Sequence, residues 1–186
     1  MVWMENGNLR DYLATHKVSI SMRLLWLRQL AHALDFIHSR WVIVADISAR
    51  NVLVAKDMSV KFSDFTEASL LPLDSDMEMV DDNGYSMQTD IGQFGALMYE
   101  VSTGIWCNFD LFKDQPPGPA TAAFPQRDGL PSTESVWLGP VIDKCWIKNA
   151  FRTSRELSQC LDLFQELKPD NYADSTFHEA KPSLAI

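Results

Sequence analysis

The chain has 186 residues, of which 46% are hydrophobic and 22% charged, with a formal net charge of −9. That length is enough for one domain with a real core, and the composition is ordinary for a globular protein. No apolar run approaches the ~18 residues of a membrane span, and the opening MVWMENGNLRDYL lacks the basic start and apolar block of a signal peptide. An intracellular, cytoplasmic chain is the expectation. The charge is uneven. No lysine or arginine stands between Lys61 and Lys113, a stretch that holds Asp64, Glu67, Asp74, Asp76, Glu78, Asp81, Asp82, Asp90, Glu100 and Asp110. Such a field repels nucleic acid and anionic lipid, so neither is expected as a partner. A solvated acidic loop is its simplest reading. Cys107, Cys145 and Cys160 are odd in number and far apart, which suits reduced thiols. The four histidines show no metal-ligand spacing.

In chain order, residues 8–16 read as a short helix capped by Asn6 or Asn8. A long helix opens at Ser19 or Ser21 and ends near Ser39. Leu24, Leu27, Leu30, Ala31, Leu34 and Ile37 recur at steps of three and four. Leu25, Trp26, Ala33 and Phe36 widen that stripe and predict burial over much of the helix. WVIV (41–44) is a strand-like run, and residues 51–65 read as two strands around a turn at Lys56–Asp57. Residues 68–88 read as irregular. A second strong helix is expected from Thr89 to Ser102 with Gly104 as its stop. Residues 105–133 are rich in proline and glycine and read as loop. Further helices are expected at 134–147 and 154–167, and residues 168–186 have no periodicity and read as a mobile tail. The periodicity therefore predicts a mainly α chain, α+β overall, with a small β element at residues 41–65.

Reactive side chains gather on that β element. Asp46, Asn51 and Asp64 flank its strands. Two carboxylates and an amide oxygen suit a hard cation such as Mg2+ with a phosphate, and one carboxylate could instead accept a hydroxyl proton. Acids and amides near turns also serve as caps and turn formers. The residues alone leave these readings open.

Five stretches, in order, resemble eukaryotic protein kinases of the tyrosine-kinase-like branch. VADISARNVLV (44–54) resembles the catalytic loop H-R-D-L-A-A-R-N-V-L-V, and FSDFT (62–66) resembles the magnesium motif around D-F-G. TDIGQFGALMYEVSTG (89–104) resembles the helix after the activation segment. VIDKCWIKNAFRTSRELSQCL (141–161) resembles the closing C-W…R-P…E-L segment, and VWMENGNLRDYL (2–13) the hinge and the helix beyond it. The resemblance implies a kinase C-terminal lobe over residues 1–167, as a helical bundle without its N-lobe. The implied reaction is ATP-dependent phosphoryl transfer to a protein hydroxyl. It makes Asp46 the catalytic base and Asn51 and Asp64 the Mg2+ ligands. Arg50, four after the acid, follows the tyrosine-kinase pattern. Met4 falls at the hinge position that meets adenine, and Leu53 at the floor of the adenine pocket. Phe65 matches a core residue linking the lobes, and Asp90 the helix acid that holds the catalytic-loop backbone. Leu53 and Phe65 are expected to be buried in any version of this fold.

The motifs are also degenerate. No G-x-G-x-x-G and no V-A-I-K occurs, and Val44 and Ala45 replace the His and Arg of H-R-D. Thr66 replaces the D-F-G glycine, a position where φ > 0 is cheap only for glycine. No A-P-E is present, which leaves Arg152 in need of another partner or facing solvent. Thr153 stands where the adjoining proline is usual. Without the H-R-D arginine, phosphorylation of Ser69, Ser75, Tyr85 or Ser86 is expected not to raise a transfer rate. Three readings follow: a kinase domain that is inactive alone, a pseudokinase that binds a protein partner, or a fragment of a longer active kinase. Met1 falls at the family's gatekeeper position, where an internal methionine resembles a start.

Overall fold

The computed structural model describes residues 4–113 and 121–164. Among these lie five α-helices and two small antiparallel sheets. The helices are α1 (Leu9–Thr15), α2 (Ile20–His38), α3 (Met87–Thr103), α4 (Gly139–Cys145) and α5 (Ser154–Leu163). The strands are β1 (Val42–Ile43), β2 (Val52–Val54), β3 (Val60–Phe62) and β4 (Ser69–Leu70). The mainly α expectation with a β element at 41–65 is met. The expected tail at 168–186 and the end of the last helix at 167 lie outside the described residues.

The helix starts follow the cap residues. Asn8 accepts from Asp11 N at α1, Ser19 from Met22 N at α2, and Thr153 from Glu156 N at α5. Each satisfies an N–H that a first turn leaves without a partner. Ser86 forms a reciprocal capping box with Thr89, so α3 begins two residues before the expected Thr89. Gly104 ends it at φ 75°, a left-handed conformation that glycine takes cheaply.

α3 is the axis of the fold. Small and apolar residues occupy most of its girth, and it is buried almost throughout from Met87 to Val101. A Cβ on Gly92 would stand 2.2 Å from Phe109 Cζ, and one on Gly95 2.8 Å from Cys145 Cβ. The two glycines therefore let Phe109 and α4 approach the helix closely. α2 is one-sided, contrary to the expected wide burial. Leu24, Trp26, Leu27, Leu30, Ala31 and Leu34 are buried, while Leu25 and Phe36 are exposed. They point away from α5 and β3, the elements that cover the other face. Burying each leucine of the inner stripe stabilises the fold by about 1.5–3 kcal/mol, and truncating Leu30 to alanine would cost about 2–5 kcal/mol. Arg23 and Arg28 tie the helix ends together. Arg23 donates to Val101 O and Ser102 O at the end of α3, and Arg28 to Leu161 O and Phe164 O at the end of α5.

Three further expectations need correction. The helix expected at 134–147 spans only Gly139–Cys145. Pro140 sits in its first turn, where a missing N–H does no harm, and the residues before it close as turns, Val136 N donating to Thr133 O and Gly139 N to Val136 O. Residues 68–88 are not wholly irregular: β4 pairs with β1, Val42 opposite Leu70 and Ile43 opposite Ser69. Phe65 is 46% exposed because no described element packs over it, and Leu53 is half-buried. The β2–β3 hairpin holds as read. Its turn closes through Ala55 N to Ser59 O at 2.8 Å, with Asp57 accepting from Ser59.

Candidate functional site

The site is built where β1 runs into the loop 44–51. Asp90, fully buried on α3, accepts from Val44 N at 2.7 Å, from Ala45 N at 2.8 Å and from His38 Nε2 at 2.8 Å. An ionised carboxylate only accepts, so the His38 ring donates from Nε2. Its Nδ1 lies 2.9 Å from Ser154 Oγ, which joins α2, α3 and α5 at one buried point. This is the backbone grip expected of Asp90. Ala45 has φ 67°, a conformation that costs a non-glycine residue about 1–2 kcal/mol. The two bonds to Asp90 hold the bend.

Beyond the bend, Asp46 meets its neighbours. Its Oδ2 accepts from Arg50 Nη2 at 2.9 Å and from Asn51 Nδ2 at 2.8 Å, and its carbonyl accepts from the same Asn51 nitrogen at 3.1 Å. The 3-10 turn Ala49–Asn51 makes these contacts possible by folding the amide back over the acid. Asp64 reaches the site through the backbone: Ser63 N and Ser63 Oγ both donate to Asn51 O. The positive φ of this motif falls on Asp64 itself, at 57°, and not on Thr66. Thr66 donates to Asp64 through both its hydroxyl and its N–H. Those bonds, the side-chain one foremost, hold the Asp64 carboxyl below the usual range, and the Arg50 charge adds to them. Arg50 thus acts electrostatically on both acids. The segment holding Met4 runs beside β2, with Asn6 N donating to Val54 O, Val54 N to Gly7 O, and Asn8 bridging Leu53. Among the described residues, the hydrogen bonds of Asp46 and Asp64 involve neither Met4 nor Leu53.

A cavity of about 130 Å³ opens beside Asp46, lined by Arg10, Ser48, Gln93, Trp106 and Cys107 among others. Arg10 makes a two-pronged pair with Glu100, 2.6 Å and 2.9 Å, and lies over the Trp106 ring. Burial, with a contribution from Glu100, pushes the Cys107 thiol up to about 11, so it stays protonated at neutral pH. The sequence reading missed Gln93, Arg10 and His38. Gln93 lies three residues after Asp90 and so shares its face of the helix, which was the available signal. Arg152 has another partner, as expected in the absence of A-P-E: its Nη2 pairs with Glu78 at 2.9 Å. The pair is solvent-exposed and worth ~0–1 kcal/mol.

Asn51 spends Nδ2 on Asp46, which leaves Oδ1 for a cation, and both Thr66 bonds fall on Asp64 Oδ1. Among the described residues no cluster of three or more His, Cys, Asp or Glu could hold a metal by itself. One carboxylate and one amide oxygen fit Mg2+, which usually takes one or two carboxylates with substrate phosphates.

The family profile described as protein tyrosine and serine/threonine kinase matches residues 1–155. The chain is similar to the tyrosine-protein kinase JAK3 of Rattus norvegicus, 29% identical over 153 residues, covering 70% of this chain and 13% of that protein. It is also similar to the serine/threonine/tyrosine-protein kinase HT1 of Arabidopsis thaliana, 28% identical over 167 residues, covering 79% of this chain and 41% of that protein. With a helical fold built around the held loop 44–51, the chain belongs to the protein tyrosine and serine/threonine kinase family. It spans less than half the length of either relative. No helix among the described residues is long and apolar enough to cross a membrane.

Proposed function

We propose that the chain is the C-terminal lobe of a protein kinase, the half that holds the acceptor hydroxyl and the metal. It would be inactive alone and transfer phosphate from ATP only when a phosphate clamp is supplied by a longer product or a partner chain. The observation that carries this is the fixed Asp46. Arg50 and Asn51 occupy its Oδ2, which leaves Oδ1 to accept the proton of a protein hydroxyl. Asn51 Oδ1 and Asp64 would hold Mg2+, which when bound neutralises charge on the transferred phosphate. Arg50 keeps Asp46 oriented through its bond to Oδ2. Met4 and Leu53 would border the adenine. Ser48, where serine/threonine kinases usually carry lysine, and Arg50 leave the hydroxyl specificity open between both substrate classes.

A second reading is supported by the surface. Leu70, Leu73 and Met79, 77%, 74% and 79% exposed, stand on the acidic segment. Exposed apolar side chains of this kind suit a protein partner, as in a pseudokinase. Thermal denaturation with and without Mg-ATP separates the two. Binding to the folded state must raise the melting temperature, and Asp64→Asn should remove the rise if the Mg2+ site is used. No rise in the wild-type protein favours the pseudokinase reading.

A further inference from the structure

We propose that Gln93 is the positioning residue that fixes Asp46; the proposal rests on the phosphoryl-transfer reading above. Gln93 Nε2 donates to Ala45 O at 2.8 Å, and Gln93 Oε1 accepts from Ile47 N at 3.1 Å. Ala45 O belongs to the peptide that enters Asp46, and Ile47 N to the peptide that leaves it. One planar carboxamide therefore bridges both peptide planes that flank the Asp46 Cα. Rotation about either backbone dihedral of Asp46 would break one of the two bonds. Asn51 Nδ2 holds the carbonyl of the second peptide from the other side.

The loop has no polar side chains of its own ahead of the acid, since Val44 and Ala45 precede it. Its restraint comes from α3. Asp90 takes the N–H groups of 44 and 45, and Gln93, one turn further on, takes the Ala45 carbonyl and the Ile47 N–H. The task needs a donor and an acceptor on one short fork, which an amide supplies. Glutamate would keep the acceptor for Ile47 N and lose the donor for Ala45 O. Methionine would keep the length and lose both.

The test uses the 186-residue chain and two variants, Gln93→Met and Gln93→Glu, followed by NMR. In Gln93→Met the Ile47 amide should exchange about tenfold faster, the loss of one net hydrogen bond. The Asn51 side-chain amide resonances should shift, because that amide sits on Asp46. The Val44 and Ala45 amides, held by Asp90, should keep their protection. Gln93→Glu should retain Ile47 protection and still shift Asn51. Unmoved Asn51 resonances with unchanged Ile47 exchange in Gln93→Met overturn the proposal. So does a uniform acceleration of all loop amides, which marks a merely structural role. If Gln93→Met does not fold, Gln93→Glu decides by the Asn51 resonances alone. In a transfer-competent product, Gln93→Met should lower kcat by about 10²-fold with KM for Mg-ATP kept, as a slight misplacement of the acid would; an unchanged kcat also overturns it. A wild-type product with no transfer refutes the phosphoryl-transfer reading alone, and the NMR result still judges the grip on Asp46.

Discussion

Asp90→Asn tests how the site is held together. The carboxylate is fully buried and accepts three bonds, Ala45 N on Oδ1 and Val44 N with His38 Nε2 on Oδ2. Asparagine keeps one acceptor. With its oxygen at the Oδ2 position, the new NH2 faces the Ala45 N–H, so that bond is lost and two donors meet. A hydrogen bond to a charged group contributes about 1.5–3 kcal/mol, and leaving a buried N–H unpaired costs about 1–3 kcal/mol. The two surviving bonds weaken when their acceptor becomes neutral. The smaller desolvation of a neutral amide offsets part of this. The net expectation is a loss of about 3 kcal/mol. Urea unfolding followed by fluorescence of the buried Trp26 and Trp146 reads it directly. The midpoint should fall by about 1–2 M with an unchanged slope. A loss below about 1 kcal/mol would refute the claim that Asp90 is the buried anchor of the loop, since a surface substitution costs that little.

Gly92→Ala should cost about 1–3 kcal/mol through its clash with Phe109, and Phe109→Leu should recover part of that in a double-mutant cycle; additive losses contradict the close approach. Thr66→Gly should raise the Asp64 carboxyl toward its ordinary range, as read by 13C NMR titration. The sign follows from the depressed value: the ionised Asp64 contributes stability above its unfolded pKa, and that contribution fades as pH falls through the folded value. An unmoved Asp64 midpoint in Thr66→Gly argues against the hydroxyl as the main cause. Cys107, pushed up to about 11 by burial, should react with iodoacetamide far more slowly in native than in urea-unfolded protein at neutral pH. Equal rates would show that the thiol is open.

The sequence made the helices legible where a cap and a 3.6-residue period agree, as at Ser19 and Gly104. It misled where one signal stood alone. The apolar run around Val136 and Trp137 resembles a helix, but Gly139 and Pro140 set the start of α4 after it. Leu25 and Phe36 extend the apolar pattern of α2, yet the elements packed on that helix cover only one side. β4 is two residues long, too short to carry a period, and exists through its pairing with β1. At the site, the spacing of Asp46, Arg50 and Asn51 already places acid, cation and amide within one turn, and the 3-10 turn brings them into contact. Gln93, His38 and Glu78 act across long stretches of chain. Their roles depend on which helix packs over the loop, which local pattern does not encode.

The most direct measurement is phosphate transfer from Mg-ATP to protein acceptors, made in parallel on the 186-residue chain and on the product its own cells make, each with an Asp46→Asn control. The account predicts no transfer by the chain alone. In the native product it predicts transfer that Asp46→Asn lowers by about 10²–10⁴-fold, the usual weight of a positioned base. Native transfer that survives Asp46→Asn unchanged would contradict the assignment of Asp46, and no transfer in either form would contradict the kinase reading and leave the partner-binding one.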